Sequence, residues 1–168
     1  MQRTIGVAMA MAVLGFGPAS QARQASAQAG TFQIVQVSTG DPDKFLAEWA
    51  KPSEPARLET QSSARRGETL HTFLMFGGCK ADTAGQCQVT ADFTILKPDG
   101  AVYAEQKGVA VYRGRPAPPA NTFYMSDASL GLRFEAQDPL GAYAVKVVTT
   151  DQVAGVSLST QQVLTATD

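Results

Sequence analysis

Few residues in this chain carry reactive chemistry, and their spacing limits what they can do. His71 is the only histidine among 168 residues. A single imidazole excludes two-histidine zinc motifs and paired-histidine oxygenase sites, and it removes most hydrolytic triads. His71, Met75 and Cys79 recur every four residues, a spacing that puts them on one side of an extended strand. Imidazole, thioether and thiolate make a copper-type ligand set, so a metal carrier using His71 and Met75 is one reading. A blue-copper centre needs a second histidine, however, and Cys79 has a competing partner. There is no GxSxG elbow, and no phosphate-cradling glycine loop follows a strand. Acidic residues fall singly at turns, so no glycosidase pair stands out. The expectation is a non-enzyme with no cofactor.

Cys79 and Cys87 are the only cysteines, separated by the turn-forming run KADTAGQ. Their spacing is not CxxC, which weakens a redox role, and in an oxidising compartment a disulfide is the expected state. The bridge would close a short loop between two strands, worth about 2.6 kcal/mol in the chain-entropy treatment.

The N-terminus points to such a compartment. Arg3, an apolar run over 5–16 and small residues up to Ala29 have the order of a secretory signal peptide. Ala25-Ser26-Ala27 and Ala27-Gln28-Ala29 both satisfy the small-x-small rule, which predicts a start at Gln28 or Gly30. The apolar run is too short to span a bilayer, so no stable membrane insertion is expected after cleavage. The expected organisation is a signal peptide over 1–29 and one domain over 30–168, periplasmic or secreted. Fourteen basic residues nearly balance fifteen acidic ones, leaving no basic field for nucleic acid. The pair Arg65-Arg66 fits a solvated turn.

The elements that must position these residues are mainly strands. Cys87, Val89, Ala91, Phe93 and Ile95 alternate with polar neighbours, the pattern of a half-buried strand. The segment 70–76 is apolar on both faces apart from His71 and Thr72, as for a strand in the middle of a sandwich. Further strands are expected at 32–37, 57–61, 102–105, 109–112 and 130–136. Near the C-terminus, 143–149 and 156–160 form a hairpin across a turn at 151–155. Asp138, Pro139 and Gly141 supply turn chemistry ahead of Tyr143. Their placement resembles the tyrosine corner of immunoglobulin-like sandwiches, whose hydroxyl bonds to upstream backbone. The fold class is therefore all-β, an immunoglobulin-like antiparallel sandwich of about eight strands. One short helix is expected, capped by Asp41, with Pro42 at its first position and Phe45, Leu46 and Trp49 on a shared face.

Two places offer recognition. Trp49, the only tryptophan, is either a hydrophobic plug or an exposed anchor for a partner. The segment 113–127 contains Arg113, Arg115 and three prolines followed by Phe123 and Tyr124. A stiff loop presenting aromatics loses little entropy on binding, whereas a packed crossover would bury them.

The order of RRGETLHTFLMFGGC, GQCQVTADFTILKPDG and DPLGAYAV before a terminal hairpin resembles the small exported immunoglobulin-like proteins of uncharacterised function in proteobacteria. That resemblance implies a periplasmic binding or assembly-accessory module acting on an envelope protein. A metal carrier and a protease-inhibitor-like loop protein are the rival expectations.

Overall fold

The computed structural model describes residues 24–51 and 57–168, so residues 1–23 of the leader expected over 1–29 lie outside the described residues. Among the described residues, ten strands form two five-stranded sheets, with one helix, α1 (Pro42–Trp49), between the second and third strands. The first sheet joins β1 (Gln24–Ala29), β2 (Phe32–Thr39) and β4 (Thr69–Gly77). Two short strands, β7 (Tyr124–Met125) and β8 (Leu130–Arg133), pair with β4 on its far side. The second sheet runs β3 (Ser63–Arg65), β10 (Val156–Thr167), β9 (Gly141–Asp151), β5 (Gln86–Leu96), β6 (Val102–Pro116). All pairings are antiparallel except β3 on β10. The path β10-β9-β5-β6 is the G-F-C-C′ order of an immunoglobulin-like sandwich, and the all-β sandwich expected from the sequence is the observed architecture.

Alternation explains how the core forms. In β5, Cys87, Val89, Ala91, Phe93 and Ile95 are all buried, and they meet Leu74 and Phe76 of β4 and Val145 and Val147 of β9 in the main core. The apolar opposite face of β4 has its own cover. Phe73 and Met75 pack with Val37 and Phe45, whose ring stacks on Phe73 at 5.0 Å, so α1 lies on the outer face of the first sheet. Asp41 caps this helix by accepting the Lys44 N–H at 3.0 Å, and Pro42 opens it.

Several boundaries differ from the expectation for identifiable reasons. Residues 24–29, read as the end of the leader, form β1 and pair with β2. The strand expected at 57–61 falls instead at Ser63–Arg65, because Leu58 packs into the helix-side cluster. The two strands expected at 102–105 and 109–112 are one, β6, which absorbs glycine bulges at Gly108 and Gly114. The Asp92 carboxylate accepts the Gly108 N–H at 2.7 Å and so holds the first bulge. β8 ends at Arg133, since the Glu135 N–H is taken by the Asp138 side chain at 2.8 Å.

The tyrosine corner is present. Tyr143 is fully buried and its hydroxyl donates to the Pro139 carbonyl at 2.9 Å. Gly141, at φ +121, sits in a region that disfavours side chains. Asp138 does more than turn the chain, because its carboxylate also accepts the Tyr103 hydroxyl at 2.8 Å. Its carbonyl takes two N–H bonds from Arg66, which lies in a turn as expected but uses its side chain to clamp this corner. Tyr143→Phe removes the donor to Pro139 and should cost about 1 to 3 kcal/mol, measured as a shift in urea midpoint with the fold retained.

The same corner sets an alkaline limit. Burial, then the hydrogen bond to Asp138, pushes the Tyr103 phenol up to about 12 from 10.0. The protonated phenol is favoured in the folded chain, so its stabilisation is complete below pH 10 and is lost as pH rises towards about 12. Urea midpoints measured from pH 7 to 12 should be flat across neutral pH and fall in that window, with a shallower fall in Tyr103→Phe.

Candidate binding surface

One end of the sandwich gathers three of the residues that the sequence offers for recognition, Arg115, Phe123 and Tyr124. The Cys79–Cys87 disulfide joins the end of β4 to the start of β5 with Cα atoms 6.2 Å apart. The Asp151 carboxylate ties this staple to the β9–β10 turn: it accepts the Lys80 N–H at 2.7 Å and the N–H groups of Val153 and Ala154 at 3.0 and 3.1 Å. These bonds fix the floor on which the segment 113–127 is laid.

That segment is not one free loop. Its first four residues belong to β6, and Tyr124 and Met125 form β7 against Phe76 and Met75. Between them, Pro118 is buried while Pro119 through Tyr124 are exposed. An aromatic row leads from the core outward: Phe76 meets Tyr112 edge-on at 5.0 Å, and Tyr112 meets Tyr124 edge-on at 6.0 Å. Burial pushes the Tyr112 phenol above its ordinary range against the opposing pull of Arg115, and the protonated hydroxyl donates to the Pro116 carbonyl at 2.7 Å. Arg115 lies over the Tyr112 ring at 4.1 Å, and one of its nitrogens donates to both oxygens of Asp127 at 2.6 Å. This ion pair is half exposed and adds little stability, yet it fixes the guanidinium in place.

Phe123 and Tyr124 are each 36% exposed. They are anchored along one side and open on the other, so they are neither a free loop tip nor a buried crossover. Beside Phe123 is a cleft of about 410 Å³ between the β1–β2 turn, the end of β4 and residues 118–123. Gly77 and Gly78 allow these pieces to close. A Cβ on Gly77 would come within 2.9 Å of the Thr122 carbonyl oxygen, and one on Gly78 within 1.8 Å of the Thr31 carbonyl oxygen. The cleft lining contains no charged side chain, and Gln28, Thr31, Gln33, Asn121 and Thr122 supply its polar side chains.

The other candidates lie elsewhere. Trp49 is half-buried against the cluster under α1, which also receives Met125, and it serves as a plug for that cluster. Arg113 is exposed on β6, opposite Gln88. His71 and Met75 share the outer face of β4, but Cys79 does not join them. The positive φ of Gly78 breaks the alternation, so Cys79 enters the main core and bonds to Cys87. Sequence reading missed Tyr112 and Asp127, the groups that hold Arg115. No periodic signal marked them, because Tyr112 and Arg115, three apart in a strand, reach the same face only through the bulge at Gly114.

No protein-family model matches this chain, and no curated protein is similar to it.

Proposed function

We propose that this chain is an exported binding module of the cell envelope, which holds a partner protein against the end of the sandwich carrying Arg115, Phe123 and Tyr124. The observation that carries this reading is the half-exposure of two adjacent aromatics on a braced framework. Aromatic and arginine side chains contribute most per residue to protein interfaces. Because β7, the disulfide and the Arg115–Asp127 pair already hold the surface, little ordering remains for a partner to impose. An exported location fits the disulfide, and among the described residues no helix is long and apolar enough to cross a membrane.

The experiment is a cross-linking pull-down of the exported form from the envelope fraction, run beside Phe123→Ala. The expected result is a specific envelope protein recovered by the unaltered chain and depleted with the variant. Equal recovery by both would reject this surface, and copurification of stoichiometric metal without a protein partner would favour a carrier role instead.

A further inference from the structure

β1 overlaps the stretch that the sequence offers as the end of a leader. We propose that the exported protein loses its leader after Ala22, so that Arg23 becomes the first residue and β1 stays in the mature domain. This placement rests on the export reading. Beyond the apolar run, three sites with Ala or Ser at both small positions compete: Ser20-Gln21-Ala22, Ala25-Ser26-Ala27 and Ala27-Gln28-Ala29. The first lies nearest the apolar run, and the fold separates it from the other two.

Residues 24–29 pair one for one with β2, from Gln24 opposite Val37 to Ala29 opposite Phe32. Ala27 also packs against the main core. Cleavage after Ala27 would leave only the Gln28–Gln33 and Ala29–Phe32 pairs, and cleavage after Ala29 would leave none. β2 would then become the edge of its sheet, and its composition is wrong for that position. Natural edges are guarded by charges, prolines or bulges. β6, an edge of the other sheet, has such guards: four register shifts, together with Glu105, Lys107, Arg113 and Arg115. β2 reads FQIVQVST, with no charge, no proline, no glycine and an unbroken register against β4. It is built as an interior strand and needs β1 beside it. The cleft gives a second reason, since Gln28 forms part of its wall and would be lost in a chain beginning at Gly30.

Intact-mass measurement on protein from the envelope fraction tests the placement. A start at Arg23 is expected. A start at Gln28, Gly30 or any other residue overturns the placement while leaving export standing, and an uncut precursor overturns both. Ala22→Leu should stall processing, whereas Ala29→Leu, at an exposed position, should change the mature mass only by the substitution. Normal processing of Ala22→Leu would count against the site. As an independent check, a chain starting at Gly30 should melt about 5 °C or more below one starting at Arg23 and should self-associate. Equal midpoints with both chains monomeric would show that β1 is dispensable.

Discussion

Gly78→Ala should destabilise the domain by about 3 kcal/mol or more, the largest effect expected of a Cβ added at any glycine among the described residues. Two costs coincide there. Gly78 has φ +67, a conformation that costs an L-residue about 1 to 2 kcal/mol. The added Cβ would also overlap the Thr31 carbonyl, with oxygen at 1.8 Å and carbon at 2.5 Å, and that carbonyl belongs to backbone that cannot swing aside like a side chain. Relief requires the β1–β2 turn to move away, which also breaks the Thr31 hydroxyl bond to the Gly78 carbonyl at 3.0 Å. Gly85 supplies the control. Its φ is +76 but a Cβ there meets nothing within 4 Å, so Gly85→Ala should show the conformational cost alone. Urea midpoints of the two variants measure the difference. Equal losses would mean that the contact with Thr31 is not tight.

Phe123→Ala and Tyr124→Ala should each weaken partner binding about thirty-fold or more, equivalent to about 2 kcal/mol. Their effects on stability should differ. Phe123 lines the cleft with about a third of its surface open and takes no part in the buried core, so its loss should cost about 1 kcal/mol. Tyr124 covers the edge of Tyr112 and pairs through β7, so its truncation should cost somewhat more while the fold survives. Dissociation constants set beside thermal midpoints separate the two kinds of loss. A large drop in midpoint with unchanged affinity per folded molecule would make these residues packing groups and move the binding surface elsewhere.

The sequence was most legible where one period dominated. The alternation of Cys87 through Ile95 identified β5 and its buried face, and the residues Asp41 and Pro42 marked the start of α1. The corner of Asp138, Gly141 and Tyr143 followed from turn chemistry set close ahead of an alternating strand. Legibility failed where small residues serve two purposes. Ala, Ser and Gln in 24–29 meet the rule for leader cleavage and are equally acceptable in a short strand. Gly108 falls between the strands expected at 102–105 and 109–112 and Gly114 in the segment beyond them, although each permits a bulge inside one long strand. Arg66 was hidden because its partner is a carbonyl 72 positions away, and no local pattern signals such a bond. The exposure of Phe123 and Tyr124 was undecided for a related reason: aromatics in a proline-rich segment have no period from which to assign a face.

Site-specific photo-crosslinking in intact cells tests the central claim most directly, with the probe placed in turn at position 124 and at Val148. Val148 is 40% exposed on the outer face of the other sheet, so it matches Tyr124 in exposure and differs in location. A discrete adduct with one envelope protein at position 124, absent at position 148, is the predicted result. Adducts at 148 alone, or none at 124 when the protein is folded and exported, would contradict a binding surface at this end of the sandwich.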